Sequence, residues 1–360
     1  MKRILLTIAA LAALLIPAAA YAPKNNLFLD LTESRVYYHG EFLMMEELQE
    51  LIKAQEEPVD NVIVTTDANS SAIMMLGIRD YVAEVSNAQV IFIFPKRHDY
   101  PADIAWNSYS AFTVDRSPFF EPLSNEEYYT EQALWEFKQP MPEETKGVSV
   151  LLDSLNYAFY MGGEKVHWSA PFTYLLEEFK MPESESEDVE VPYLKIKITD
   201  NATVGEIVSY ETTINWYALN KDLQINYAFF SPDTRVSAAS AFNLNPTTLD
   251  DLDIATVSYS KPDQYSVAPT YYGYSDMDDI LQQIGYYIPG NTGHDRGRAV
   301  ISFTVCIDGS VIDVEQVSGM KGAGERVKTG LEAAPPFWSQ ARDNEGNPVN
   351  MRYVIKMRLQ

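Results

Sequence analysis

A single cysteine, Cys306, stands in a chain of 360 residues, so no disulfide forms within it and the fold must hold by burial and hydrogen bonding alone. Basic side chains are also few. Against 51 Asp plus Glu there are 27 Lys plus Arg, for a formal net charge of −24. A surface of that sign is repelled by phosphate backbones and anionic lipid, which sets both aside as partners and excludes nucleic acid. Histidine is scarcer still. His39, His98, His167 and His294 are scattered, none stands in His-Glu-x-x-His, and neither His98-Asp99 nor His294-Asp295 has a second ligand at metal spacing. Gly319, Gly322 and Gly324 lead into no Gly-Lys-Ser/Thr, and no Gly-x-Ser-x-Gly elbow occurs. Without a convergent constellation the sequence predicts no enzyme, no metal and no cofactor.

Long apolar runs are missing too, with one exception at the start. Met1, Lys2 and Arg3 precede the apolar residues 4–19, and Ala20-Tyr21-Ala22 follows as a small-x-small pattern, which together read as a cleavable secretory signal over residues 1–22. The run is shorter than the ~20 residues that span a bilayer, and Pro17 breaks it. The expectation is a periplasmic protein that begins at Pro23. An uncleaved inner-membrane anchor is the alternative.

What charge there is lies unevenly. From Asp295 onward eight acids meet nine bases, so the acidic excess sits upstream. Its densest run, "PESESEDVEVP" over residues 182–192, lacks the glycine-centred spacing of a calcium loop and reads as a solvated loop. Cys306, in "AVISFTVCID", reads as a small half-buried side chain.

The chain also repeats itself. "LFLDLTESRVYYHGE" predicts two short strands and a turn, "MMEELQELIK" a helix, "NVIVTTD" a buried strand, with a second helix and the strand "AQVIFIF" after it. "VSVLLDSLNYAFYMGGE", "PFTYLLEEFK", "YLKIKITD", another helix and "LQINYAFF" give the same order. In the second helices Met75, Ile78, Val82 and Val85 repeat the spacing of Ile207, Tyr210, Ile214 and Tyr217, one apolar face each. Asp67 and Asp200 stand at equivalent strand-to-helix junctions, where a carboxylate can cap the following helix.

"VYYHGEFLMMEELQELIKAQ", "NVIVTTDANSSAIMMLGIRDYVAEV" and "QVIFIF" together resemble the periplasmic domain of the ExbD/TolR family. The first copy is the closer match and the second is diverged. A different family is resembled by the last module. "RGRAVISFTVCIDGSVIDVEQVSG" pairs two strands through an Asp308-Gly309 turn suited to a two-residue hairpin. "GERVKTGLEAAPPFW" follows as a helix, and "DNEGNPVNMRYVIKMRL" as a turn and a final strand. Pro336, Trp338, the Gly346-x-Pro348-Val349 turn and the terminal strand fall in the order of the TonB C-terminal domain, and "DMDDILQQIGYYIP" is similar to the short helix that precedes it. The usual Trp-x-Pro is Trp338-Ser339-Gln340 here.

These likenesses imply an α+β protein with two repeated two-layer α/β modules and a C-terminal module of a small antiparallel sheet with helices. The expected divisions are module one at 23–95, a connector at 96–146 holding a helix in "EEYYTEQALWEF", module two at 147–231, a connector at 232–274, and the TonB-like module at 275–360. In the second connector Tyr265, Tyr271, Tyr272 and Tyr274 are expected to pack against the neighbouring module.

The TonB likeness further implies a terminal strand at a sheet edge, open to a partner strand. Alternation places Met351, Tyr353 and Ile355 inward and Arg352, Val354, Lys356 and Arg358 outward as partner-binding residues. Residues 4–20 carry no Asp, Glu or His, the groups that gradient-driven relatives place in their membrane helix. The expectation is therefore an exported, non-catalytic interaction protein associated with TonB-type energy transduction or envelope transport. Its expected partners are envelope proteins, such as TonB-dependent receptors or ExbB/ExbD-like components, or a second copy in a homodimer. A peptidoglycan-binding or envelope-scaffold protein is the alternative.

Overall fold

A computed structural model describes residues 24–94, 110–118, 120, 123–124, 147–153, 158–161, 164–178, 191–221, 225–232, 238–249, 252–290 and 297–359. The leader, most of the acidic run, the helix expected in "EEYYTEQALWEF", His98 and His294 lie outside them. Among the described residues no helix is long and apolar enough to cross a membrane.

Helices and strands are mixed, and the strands form two sheets of thirteen and five. The chain begins with β1 (Asn26–Thr32), β2 (Arg35–Tyr38), β3 (Glu41–Leu43), α1 (Met45–Lys53), β4 (Asn61–Thr66), α2 (Ala72–Val85), β5 (Gln89–Ile93), β6 (Ala111–Arg116) and the short β7 (Leu123–Ser124). It continues through β8 (Gly147–Asp153), β9 (Ala158–Met161), β10 (Glu164–Val166), α3 (Ala170–Glu178), β11 (Tyr193–Ile198), α4 (Val204–Lys221), β12 (Asn226–Pro232) and β13 (Ala238–Pro246). Read inward, one end of the large sheet runs β3-β2-β1-β4-β5-β6 and the other β10-β9-β8-β11-β12-β13.

β4 lies parallel between β1 and β5, and a strand flanked and covered in this way needs apolar side chains on both faces. "NVIVTT" supplies them. Val62 and Val64 face the helices with Leu27, Leu29 and Leu31 of β1. Ile63 points the other way and meets Ile91, Ile93, Leu252 and Ile307. β11 holds the equivalent place between β8 and β12.

The two ends join at β6 and β13, which pair antiparallel from Phe112↔Pro246 to Arg116↔Phe242. Matching stacks flank the seam, Phe92 on Phe112 at 5.7 Å and Phe229 on Phe242 at 5.6 Å. A second joint lies at the helix starts, where Ala72 N donates to Ala202 O at 2.9 Å, Val204 N to Ser70 O at 2.7 Å and Gly205 N to Ala68 O at 3.1 Å. Position 205 admits only glycine there, since a Cβ would sit 2.7 Å from the Ala68 carbonyl oxygen. Each segment expected as a connector therefore supplies a strand to the centre of the large sheet.

The expected aspartate caps are not those used. Ser71 Oγ accepts from Met74 N, and Thr203 Oγ1 accepts from Glu206 N while the Glu206 carboxylate takes Thr203 N. Asp67 stands too far before the helix, and its carboxylate instead accepts from Asn69 N and Ser70 Oγ. A hydroxyl directly ahead of the first turn reaches its free amides, and a carboxylate four residues back does not.

The small sheet contains β14 (Thr256–Ser258), β15 (Gly297–Val305), β16 (Val311–Gly319), β17 (Ala341–Arg342) and β18 (Pro348–Leu359), ordered β14-β18-β15-β16 with β17 also on β18. α5 (Met277–Gly285) and α6 (Ala323–Ala333) cover one face. Tyr271 and Trp338 are buried in this core, and Val257, Tyr259 and Tyr265 pack on it, so residues 256–274 belong with the terminal sheet rather than before it. The β15–β16 turn is wider than two residues. Cys306 N donates to Ser310 O, and the Asp308 carboxylate takes the Ser310 amide and hydroxyl. The extra length carries Ile307, fully buried, onto the second face of the large sheet. Cys306 is buried rather than half-buried.

Candidate functional site

β18 begins after a tight turn in which Asp343 N donates to Asn347 O, Gly346 N donates to Asp343 O, and the Asp343 carboxylate takes the amides of Glu345 and Asn347. Gly346, at φ 88°, provides the left-handed residue. The strand then alternates strictly. Met351, Tyr353, Ile355, Met357 and Leu359 are buried, and Arg352, Val354, Lys356 and Arg358 are exposed. The inward set packs as the alternation predicts. Tyr353 is held between rings, with Tyr259 at 4.8 Å, Phe303 at 5.2 Å and Trp338 at 5.8 Å. Burial raises its phenol far above the ordinary value, and charge repulsion from the ionisable hydroxyls of Tyr259 and Tyr265 adds to that rise.

β18 is not an edge along its whole length. β15 pairs with it antiparallel from Gly297↔Leu359 to Val305↔Met351. On the other side β17 takes Pro348 and Val349, and β14 lies parallel with Thr256↔Asn350, Val257↔Met351 and Ser258↔Arg352. Two bonds fix which groups face that side: Asn350 N donates to Ala255 O at 2.9 Å, and Tyr259 N donates to Arg352 O at 3.0 Å. Strand groups alternate, so the amides and carbonyls of Val354, Lys356 and Arg358 point to the same side. No described strand pairs with them there. The open edge is thus residues 354–358, and Arg352 sits at the covered end.

The outward side chains are electrostatically distinctive. Arg352 lies 3.9 Å from Glu315, both well exposed, a geometry that contributes little in water. Arg298 of β15 is directly opposite Arg358, and like charges so placed repel. Beside the open edge a groove of about 660 Å³ is bounded by α5 and α6, with Leu281, Tyr286, Arg326, Lys356 and Arg358 among its walls. An extended segment laid against β18 meets backbone groups that no described strand pairs, together with a mixed groove in which Arg326, Lys356 and Arg358 stand beside Asp278, Leu281 and Tyr286.

Other candidates gather less chemistry. A cavity of about 480 Å³ lies between the two sheets at Asp30, Thr65, Asp67, Gln340 and Arg342. Its charged groups are already engaged, because Arg342 grips Asp30 through two bonds of 3.0 and 2.7 Å and the Asp67 carboxylate accepts from Asn69 N and Ser70 Oγ. His39 occupies the β2–β3 turn at φ 51° against the Tyr38 ring, and His167 Nδ1 lies 2.8 Å from Ser169 Oγ. No group of three metal-binding side chains occurs among the described residues. The strand β14, which sets the length of the open edge, was not legible as a site feature; the alternation of Val257 and Tyr259 is too short to distinguish from a loop. Comparison with protein-family models, curated proteins and solved structures finds no match for this chain.

Proposed function

We propose that this chain is an exported, non-catalytic interaction protein of TonB-type energy transduction or envelope transport, which takes an extended partner segment along β18. The carrying observation is the open edge at residues 354–358, where the amides and carbonyls of Val354, Lys356 and Arg358 face away from β15. Main-chain pairing provides affinity, and the outward bases favour an acidic or polar strand. The mirrored strand orders of the large sheet support reading it as two copies of one ExbD/TolR-like module, and the β15–β16 hairpin, α6 and β18 support a TonB-like terminal module.

The test is a titration of the full chain, followed by backbone NMR, with synthetic peptides from the periplasmic segments of TonB-dependent outer-membrane receptors. The expected shifts centre on Val354, Lys356 and Arg358. Shifts confined to α6, with β18 silent, contradict the proposal. Co-sedimentation of the chain with peptidoglycan, unaffected by changes in β18, favours a wall-binding scaffold instead.

A further inference from the structure

β14 presents a second strand of this chain on the same edge. It is three residues long and parallel to β18, the less stable of the two pairing modes. Thr256 is exposed, and Val257 and Ser258 are only partly buried. β15, on the opposite side of β18, instead pairs over nine residues and contributes Ile301 and Phe303 to the core. β14 meets the same alternate set of β18 groups that runs on through residues 354–358, where no described strand pairs with it. Its anchor stands at the boundary. Tyr259 stacks on Tyr353 and receives the Tyr265 hydroxyl on its carbonyl at 3.0 Å.

We infer that β14 is an exchangeable occupant of this edge, a strand of the chain itself that holds residues 350–352 and gives way to an incoming strand. The inference rests on the edge being a partner site, and it adds the regulation of that site. With β14 in place, a partner finds outward groups at Val354, Lys356 and Arg358. With β14 peeled away, Asn350 and Arg352 join them, and the pairing length grows from three outward residues to five. Binding is therefore a competition, and its outcome is set by how firmly the short β14 pairing and the Tyr259 stack hold.

The polarity of β14 indicates which substitution interrogates it. Ala255 O and Tyr259 N face β18, so by alternation the Val257 amide faces it too. Val257→Pro removes that amide, while Val257→Ala keeps it and removes only side-chain packing.

The experiment is native-state hydrogen exchange on the full chain. The amides of Asn350 and Tyr259 are expected to exchange through local opening at least ~100-fold faster than those of Met351, Tyr353 and Ile355, which face β15. Val257→Pro should speed Asn350 further and leave Ile355 unchanged, with Val257→Ala between it and the parent. A synthetic peptide of residues 254–260 should then protect Asn350 in the Val257→Pro chain and bind it at least ~10-fold more tightly than it binds the parent, whose own strand competes. Exchange of Asn350 and Tyr259 only at the rate of Ile355 overturns the inference, because β14 then opens only with the whole sheet. Local opening without protection by the peptide overturns it as well, since the segment is then loose but not replaceable. Failure of the partner reading looks different: receptor peptides leave Val354, Lys356 and Arg358 silent while the 254–260 peptide still protects Asn350.

Discussion

The large and small sheets treat their edges in opposite ways. In the large sheet the two long strands that would otherwise end each half, β6 and β13, pair with each other, and the outermost strands β3 and β10 are three residues each. Among the described residues β2 pairs with β1 only from Asp30 and β9 with β8 only from Val150, so the stretches of β1 and β8 left without a neighbour on that side, residues 26–29 and 147–149, are shorter than that of β18. In the small sheet the twelve-residue β18 is covered on one side over its first part by β17 and β14, and among the described residues no strand covers that side from Val354 onward. Long unpaired edges invite association, and folds usually close or shorten them. The longer open stretch of β18 is the feature on which the proposed partner site rests.

The sharpest way to break the closed side is to remove a ring from its seam. Phe112 is fully buried, stacks on Phe92 and lies opposite Pro246 across the joint. Phe112→Ala should cost about 3–5 kcal/mol in urea unfolding of the full chain. Gly205→Ala attacks the second joint, where the new Cβ meets the Ala68 backbone. The expected loss is about 1–3 kcal/mol, read in the same way. Neither change should alter peptide binding at β18, and a loss of that binding would show that the two sheets are not independent in this respect.

Two smaller changes sharpen the comparison. Asp30→Asn weakens the grip of Arg342 on β1, and for a pair about one-quarter exposed on each side the expected loss is about 1 kcal/mol, diminished by salt. Tyr353→Phe should act in the other direction. The Tyr353 hydroxyl is buried with no hydrogen-bond partner among the described residues, so its removal should leave stability unchanged or raise it by about 1 kcal/mol. The same variant carries a pH signature. Burial holds the folded phenol above its ordinary value of 10.0, so the neutral form is favoured in the fold. This contribution is complete below the unfolded value and is lost as pH rises towards the folded one. Tyr353→Phe should flatten the alkaline fall in stability.

The terminal strand was the most legible part of the sequence. Met351, Tyr353, Ile355, Met357 and Leu359 alternate with polar residues over a long stretch, and period two has one solution when one face is buried. The helices and the doubly buried β4 were legible for similar reasons. The seam was not. "AFTVDR" and "AASAFNLNP" are short, and their pairing joins residues more than one hundred positions apart, such as Arg116 and Phe242. Local pattern carries no information about such a partner. The wide β15–β16 turn was hidden for the same reason, because Ile307 is positioned by the distant Ile63, Ile91 and Ile93. Of the site, the outward residues Arg352, Val354, Lys356 and Arg358 could be read from alternation, but not that β14 covers Arg352 and leaves the others open.

Val354→Pro tests the open edge most directly, and it should have the smallest effect on stability. The Val354 amide points away from β15, and proline is tolerated where a strand faces solvent, so unfolding should change by no more than about 0.5 kcal/mol. Binding of the receptor-derived peptides, measured by calorimetry on the folded full-length variant, should be abolished. Unchanged peptide affinity in a Val354→Pro chain of parental stability would contradict the account, because the partner would then be held by something other than the edge of β18.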